Sequence, residues 1–128
     1  MSYYYPDYKW MNQNFNQSRH KVLVVVRSGH TYYLDIPYIR ADPLAATIDW
    51  NQVCQTDCSD LMAFLRRKEI THIFVDRGVD KHVNRALDKL ERMKLINEIR
   101  SDNARRLLNQ RMTRKISTTA VHLYRINI

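Results

Sequence analysis

The sequence predicts an α/β fold in one compact domain: a small mixed, mainly parallel sheet of about four strands, flanked by helices. Two runs carry this prediction. Lys21 to Val26 is apolar without polar alternation, which is typical of a strand covered on both faces. Ile70 to Val75 is rich in β-branched and aromatic residues and lies between two amphipathic helices, as a central strand does. Because 128 residues suffice for only one core, residues 1–128 are assigned to a single domain.

The first 50 residues are predicted to contain one helix, one clear strand and a long connection. Pro6 suits the first turn of a helix, and bulky apolar residues recur behind it at helical spacing, which predicts a helix over about residues 6–16. After the strand, Thr31 to Leu34 is predicted to be a second, shorter extended piece. Residues 35–50 show no sustained period, which favours an irregular connection with a helical turn near Pro43.

Two amphipathic helices flank the central strand. The first is predicted over Thr56 to Lys68, with Thr56 as its cap, acidic residues in its first turn and basic residues in its last. The second is predicted over Asp80 to Lys94, with Asp80 as its cap and apolar residues at helical spacing along one face. The charge order of the first helix complements its dipole, which explains its terminal cations without a binding site.

The C-terminal third is predicted to add two strands around an ambiguous segment. Leu95 to Ile99 and Ala120 to Ile128 are the predicted strands. Between them, Asn103 to Lys115 has apolar residues at helical spacing and almost no β-branched residues, which fits a helix. A long-armed hairpin that ends in the final strand is the competing interpretation, and the sequence leaves both open.

The small residues exclude several kinds of site. The glycines are Gly29 and Gly78, too few for a glycine-rich phosphate cradle, so no nucleotide cofactor is expected. Cys54 and Cys58 have no further ligands nearby at metal-binding spacing, so no metal site is expected. We interpret the pair as two unpaired, partly buried thiols, with a disulfide as the alternative. No spacing indicates a catalytic triad or a carboxylate pair, so no catalytic residue is assigned.

One candidate ligand site follows from the similar ends of the two strands. Arg27, Ser28 and His30 follow the first strand, whereas Asp76 and Arg77 end the central one. If the two strands are parallel neighbours, these side chains converge at the sheet edge where open α/β folds bind ligands. Guanidinium groups there would suit phosphate or carboxylate. The alternative is an Asp76–Arg77 turn with surface ion pairing, which contributes little.

The net charge of +8 is uneven along the chain. Residues 1–60 hold five Lys and Arg against six Asp and Glu, whereas residues 61–128 hold sixteen against seven. The densest stretch carries a basic surface formed by Arg100, Arg105, Arg106, Arg111, Arg114 and Lys115. Such charge suits anionic lipid headgroups or nucleic acid, although stacking aromatics are absent from the stretch, and a merely solvated face is the plainest interpretation.

Several segments together resemble the soluble C-terminal region of bacterial multi-spanning glycosyltransferases of the GT-C type. That group is related to protein O-mannosyltransferases and aminoarabinose transferases and uses polyprenyl- or dolichyl-phosphate sugars. The similar segments are Asp7–Asn12, Lys21–Val24, Tyr32–Tyr38, Asp42–Pro43, Ile48–Trp50, Leu61–Leu65, Ile70–Val75 and His122–Ile126. They cover most of the chain through loose patterns.

The resemblance implies a periplasmic, membrane-associated accessory domain without catalysis of its own. In such enzymes the catalytic carboxylate lies in the membrane-spanning part, so that part would be this domain's partner, together with anionic lipid headgroups or a polyprenyl-phosphate sugar. On this interpretation the domain modulates substrate access or specificity. The runner-up is a stand-alone, cytoplasmic nucleic-acid-binding α/β domain, and a third hypothesis is a small phosphate-ligand domain that uses Arg27 and Arg77.

Overall fold

The computed structural model describes most of the chain as a layered α/β domain. The described residues are 4–26, 31, 33–102, 105–109, 115–118 and 121–127. The helices are α1 (Tyr5–Asn14), α2 (Ser59–Arg67) and α3 (Lys81–Arg92), with a single 3-10 turn at Pro43–Ala45. The strands are β1 (Val22–Val25), β2 (Tyr38–Arg40), β3 (His72–Asp76), β4 (Ile96–Asp102), β5 (Arg105–Asn109), β6 (Lys115–Thr118) and β7 (Val121–Ile126).

Five strands form one open sheet in the order β2-β1-β3-β7-β4. The pairs β2–β1 and β1–β3 are parallel, whereas β3–β7 and β7–β4 are antiparallel. The predicted α/β class and mixed sheet are therefore confirmed, but the sheet is not mainly parallel. The reason is that β7 returns beside β3 as one arm of an antiparallel pair with β4, instead of crossing over through a helix.

The ambiguous C-terminal segment contains strands. β5 and β6 form a separate two-stranded antiparallel ribbon between β4 and β7, so four consecutive strands are nested as in a long hairpin. The described residues 105–109 and 115 are strand and not helix, as the hairpin interpretation expects, whereas residues 103–104 and 110–114 lie outside the described residues. Pairing with a neighbouring strand outweighs the high helix propensity of the leucines there.

Two apolar cores cover the two faces of the sheet. In the first, α2 and α3 pack on strand residues that point to their side, namely Leu23, Val25, Ile73, Val75, Tyr124 and Ile126. In the second, α1 and the buried Leu34 and Ile36 pack on the residues of alternate parity, namely Val22, Val24, Phe74, Val121 and Leu123. Helices on both faces explain why β1 and β3 show no polar alternation.

The structure differs from the sequence prediction at Thr31 to Leu34, which is predicted to be extended. The Leu34 N–H donates to the Thr31 carbonyl at 3.1 Å in a turn, and the pairing strand β2 begins only at Tyr38. Thr31, Tyr33 and Leu34, the described residues of the predicted extended piece, therefore lie in no strand. Leu34 and Ile36 are apolar because they lie in the crossover from β1 to β2 and pack against α1.

The start of α2 also departs from the prediction. Thr56 does not cap the helix, which begins at Ser59, and the Asp57 carboxylate accepts the Ser59 N–H at 2.9 Å. Cys54 and Cys58 are joined by a disulfide with a Cα–Cα distance of 4.2 Å, so the unpaired-thiol interpretation is wrong. Cys54 adopts a left-handed backbone with φ of 64°, a conformation that helical spacing does not anticipate. The resulting turn keeps residues 51–58 outside the helix.

Candidate functional site

The carboxyl ends of β1 and β3 lie side by side, as the sequence predicted. The strands are parallel neighbours, with Val25 opposite Val75. After β1 the chain crosses on the α1 face, and after β3 it enters α3 on the other face. Diverging connections of this kind open the crevice in which α/β sheets bind ligands. We call the end of the sheet formed by the carboxyl ends of β2, β1 and β3 the carboxyl edge.

The predicted crevice residues are only partly described. Arg27, Ser28 and His30 lie outside the described residues, so the structure reports on Asp76 and Arg77. These two side chains are held on opposite faces of the sheet, because consecutive residues of a strand alternate. The structure therefore does not bring Asp76 and Arg77 together in one cluster.

Asp76 is a buried carboxylate that ties α1 to β3. Its side chain is almost inaccessible, with 1% of the residue exposed. One oxygen accepts the Tyr4 hydroxyl at 2.6 Å, and the other accepts the Gly78 N–H at 2.9 Å. A Cβ at Gly78 would lie 3.2 Å from that second oxygen, so the turn favours glycine there. These contacts satisfy the carboxylate within the fold.

Arg77 is committed to the α3 face. Its guanidinium contacts Asp88 and Glu91 of α3, each at 2.8 Å, and the Tyr124 hydroxyl at 2.7 Å. Although burial lowers the pKa of Arg77, the bonds to Tyr124 and Asp88 outweigh that effect and raise it. Burial also raises the pKa of Tyr124 to about 12, against the opposing effect of Arg77. The guanidinium therefore stabilises the packing of α3 on β7.

The remaining acids of the carboxyl edge are also engaged by the chain. Arg40 and Asp42 form an ion pair at 3.1 Å, and the Asp80 carboxylate caps α3 by accepting the His82 N–H at 2.6 Å. The indole N–H of Trp50 donates to the Ala41 carbonyl at 2.6 Å and holds the irregular connection over the sheet. This edge is rich in acids that have partners within the fold.

The opposite end of the sheet, which we call the amino edge, carries an opening between the link before β1 and the end of α2. It is an open cleft of about 690 Å³, which we call the basic cleft. It is lined by Gln17, Ser18, Arg19, His20, Lys21, Pro37, Arg66, Glu69, Ile70 and Thr71. Three of these residues are Lys or Arg, and Glu69 is the one acid in the lining. Nothing in the sequence marks it, because the link before β1 and the end of α2 meet only through the pairing of β1 with β3.

The cations of the basic cleft have no acidic partner among the described residues. No ion pair within 4 Å involves the side chain of Arg19, Lys21 or Arg66 in that part of the chain. Arg66 was interpreted from the sequence as a complement to the dipole of α2, and it does lie in the last turn of that helix. Arg19 and Lys21 precede β1 and complement no helix.

An aromatic and histidine cluster lies behind the basic cleft. The Phe15 ring is stacked on His20 with centroids 4.9 Å apart and lies 4.3 Å from the His72 ring. Burial, and then the electrostatic interactions with His20 and Arg125, lower the pKa of His72 to about 4. His72 is therefore neutral at pH 7, packed against the cluster and close to the Thr71 hydroxyl at 2.8 Å.

The predicted basic surface is described in part. Arg100 lies 5.2 Å above the Trp10 ring and 3.8 Å from the Asp7 carboxylate, so it packs against α1. Arg105 and Arg106 lie in β5, and Lys115 lies in β6. Arg111 and Arg114 lie outside the described residues. The ribbon thus places three of the six predicted cations on a pair of strands.

Three further observations bear on the class of site. Within the described ranges, no group of three or more His, Cys, Asp or Glu side chains is arranged to hold a metal ion. None of the described helices combines the length and apolar character needed to cross a membrane. No protein-family model matches this chain, and no curated protein and no solved structure matches it either.

Proposed function

We propose that this chain is an extracytoplasmic accessory domain of a membrane glycosyltransferase that uses a lipid-phosphate-linked sugar. In this proposal the domain modulates substrate access or specificity, and the catalytic groups belong to a membrane-spanning partner domain. The sequence resemblance supplies the transferase class. The structure contributes two supporting observations, one on the core and one on the cysteines.

The observation that carries the proposal is where the similar segments lie. They lie in α1, β1, the crossover, the irregular connection, α2, β3 and β7, and each contributes at least one buried residue. Within the connection, Ile48 and Trp50 are buried, and the Trp50 indole is hydrogen bonded to Ala41. Segments that resemble one family over most of the chain thus pack in one fold. That pattern favours inheritance of a complete domain over scattered coincidence.

The disulfide supports the extracytoplasmic side. Cys54 and Cys58 are bonded to each other, and both are buried. Disulfides persist in the periplasm and other oxidising compartments, whereas cytosolic thiols are kept reduced. The Lys89 ammonium of α3 donates to the carbonyl of Gln55, inside the loop closed by the disulfide, at 3.0 Å. The bonded loop is therefore part of the packed domain.

The test is fractionation of native cells with an antibody raised against this domain. Thiols are blocked during lysis, and the state of the two cysteines is read by mass spectrometry from the tryptic peptide of residues 41–66, which holds both. We expect a band several times heavier than 15.4 kDa that only detergent releases, with the cysteines protected until a reductant is added. A detergent-independent band at 15.4 kDa with both thiols blocked would overturn the proposal.

Nucleic-acid binding is the second candidate function, and one observation favours it. Arg105, Arg106 and Lys115 lie on the two-stranded β5–β6 ribbon, and a two-stranded β-ribbon fits the major groove of DNA. Binding of a mixed-sequence duplex by the purified chain, with an affinity that falls steeply as salt rises, would support this function. Replacement of these three residues by alanine should then flatten the salt dependence by about one phosphate contact per residue.

A further inference from the structure

The basic cleft combines features that no packing requirement explains. Arg19 and Lys21 come from the link between α1 and β1, and Arg66 comes from the last turn of α2. Residues about 45 positions apart thus contribute like charges to one opening. Clustered like charges repel one another and destabilise the fold, so an anion bound among them would relieve that repulsion. The volume of the basic cleft, about 690 Å³, falls within the range of small-ligand sites.

The dipole of α2 accounts for only part of this charge. Of the three cations that line the cleft, only Arg66 lies at the end of α2, so the dipole does not explain Arg19 and Lys21. The backbone carbonyls there are already bonded, because the Ile70 N–H donates to the Leu65 carbonyl at 2.9 Å and the Glu69 N–H donates to that of Arg66 at 3.0 Å. The cations are therefore not needed to satisfy the helix end.

His20 adds an oriented hydrogen-bond donor. Its Nδ1 accepts the Asn16 N–H at 2.8 Å, so the neutral ring carries its proton on Nε2. Stacking on Phe15 with an interplanar angle of 23° holds the ring in place. Guanidinium, ammonium and imidazole donors around one opening match the acceptor oxygens of a phosphate group.

Glu69 indicates what accompanies the phosphate. It is the one acid in the lining, and a carboxylate beside a bound phosphate is repulsive unless it has a donor to accept. The hydroxyl groups of a sugar are such donors. We propose that the basic cleft binds a sugar phosphate, with Arg19, Lys21 and Arg66 on the phosphate and Glu69 on a sugar hydroxyl. The identification of the phosphate with that of a lipid-linked sugar rests on the function proposed above.

The first experiment maps binding on the unmodified chain. Glucose 1-phosphate is titrated into isotopically labelled protein, and amide chemical shifts are followed by NMR. We expect saturable shifts concentrated at residues 17–21 and 66–71. Shifts confined to other parts of the chain, or none at millimolar ligand, would overturn the proposal. Because this measurement needs no substitution, it cannot be confused with misfolding of a variant.

The second experiment removes the charges. The triple variant Arg19→Ala, Lys21→Ala, Arg66→Ala is compared with Lys9→Ala, Lys81→Ala, Arg92→Ala, which lowers the net charge equally at exposed positions elsewhere. We expect the first to weaken glucose 1-phosphate binding by about tenfold or more and the control to leave it unchanged. Equal weakening in both would show an unspecific charge effect and overturn the site. The single variant Arg66→Gln repeats the test with minimal disturbance of the fold.

The third experiment tests the role of Glu69. Glu69→Gln removes the negative charge of Glu69, so inorganic phosphate should bind more tightly. Glucose 1-phosphate also loses the carboxylate acceptor for its hydroxyl group, so its affinity should rise less. Equal tightening of both ligands would overturn the sugar part of the proposal.

Vesicle binding distinguishes the source of the phosphate. Phosphatidylcholine vesicles that contain a polyprenyl-phosphate sugar are compared with vesicles without it. Retention that needs the lipid-linked sugar and fails in the cleft variant supports a lipid source. Equal retention of cleft and control variants, with glucose 1-phosphate binding lost only in the cleft variant, would overturn the lipid source while keeping the site. Cell fractionation tests the proposed function separately, so the two proposals can fail independently.

Discussion

The two ends of the sheet differ in whether their charged side chains have partners within the described part of the chain. At the carboxyl edge the acids have partners within the chain: Asp76 accepts from Tyr4 and Gly78, and Asp42 pairs with Arg40. At the amino edge, the described part of the chain provides no acidic partner for Arg19 or Lys21. Polar groups that are satisfied internally contribute to folding, whereas unpaired like charges remain available to a ligand. The contrast assigns stability to the first edge and binding to the second.

The strongest test of this contrast is removal of the Asp76 carboxylate. Asp76→Ala leaves the buried Tyr4 hydroxyl and the Gly78 N–H without that acceptor, so we expect a loss of about 3 kcal/mol in the free energy of unfolding. Tyr4→Phe deletes the Tyr4 hydroxyl but keeps the Gly78 N–H bond to Asp76, and should cost about 1.5 kcal/mol. Denaturant titration measures both, with Asp35→Ala as an exposed aspartate control. If Asp76→Ala proved as mild as Asp35→Ala, the carboxyl edge would have no special role in stability.

The next test concerns Tyr124 on the α3 face. Tyr124→Phe deletes the hydroxyl that Arg77 binds at 2.7 Å, and we expect a loss of about 1–2 kcal/mol at pH 7. The pKa of Tyr124 is about 12 in the folded state and 10.0 without the fold, so the folded state binds more protons between these values. Stability should therefore fall as pH rises from about 10 to 12.

The alkaline loss should be smaller in the Tyr124→Phe variant than in the unmodified chain. It should not vanish, because burial raises the pKa of Tyr8 as well. Unfolding titrations at pH 9 and pH 11 measure the difference. Equal alkaline losses in the two proteins would mean that the Tyr124 hydroxyl is not protected by the fold.

At the amino edge, the corresponding test measures stability as the pH is lowered. The pKa of His72 is lowered from 6.5 to about 4, so the unfolded chain binds more protons between these values. Stability should be fully present above about pH 6.5 and decline as pH falls towards 4. His72→Gln should reduce that decline, as measured by unfolding titrations at pH 7 and pH 4.5.

The charge environment of His72 can be measured directly by NMR titration of its ring protons. Arg125 pairs across from His72 in the antiparallel register and contributes to the lowered pKa. Arg125→Gln should therefore raise the pKa of His72, whereas the remote Arg92→Gln should leave it unchanged. An unchanged pKa in Arg125→Gln would show that burial and His20 lower it without Arg125, and the basic character of this edge would lose that support.

Local rules predicted the elements that local chemistry determines. The aspartate at position 80 caps α3 as predicted, and the apolar runs of β1 and β3 are buried parallel neighbours. The failures lie where distant residues decide the structure. Leu34 belongs to a predicted extended piece but packs in a crossover, and residues 105–109 and 115–118 form strands because they pair with each other.

The predicted site at the strand ends also depends on distant residues, and it stays a prediction at Arg27, Ser28 and His30, which lie outside the described residues. The similar strand ends at Arg27 and Arg77 are visible in the sequence, and the parallel pairing expected there is confirmed. Yet Arg77 binds Asp88 and Glu91, which lie 11 and 14 residues further along the chain and become its neighbours only when α3 packs. The basic cleft forms because residues 17–21 lie close to residues 66–71 in the fold. No periodicity or motif in the sequence predicts that proximity.

The smallest effect that we predict is a change in stability caused by glycine at the left-handed residues that follow α2 and α3. It distinguishes the effect of backbone conformation from that of charge at the amino edge. Both α2 and α3 end with a non-glycine residue in the left-handed region, Glu69 at φ 59° and Lys94 at φ 58°. In each case the next N–H returns to a carbonyl five residues earlier: Ile70 to Leu65 and Leu95 to Leu90, both at 2.9 Å. Glycine suits this position, although it also increases the entropy of the unfolded chain. Glu69→Gly and Lys94→Gly should therefore each stabilise the fold by about 0.5 kcal/mol in denaturant titrations.

Because the two substitutions relieve the same backbone strain, they form a matched pair for the ligand. Glu69 lines the basic cleft and Lys94 does not, so only Glu69→Gly should change phosphate binding. Inorganic phosphate should bind more tightly to that variant and equally well to Lys94→Gly. Similar binding changes in both would attribute the effect to helix-end rigidity, and the cleft would then lose its electrostatic explanation. Unequal binding with equal stabilisation would locate the anion preference at the amino edge, independently of how stable the fold is.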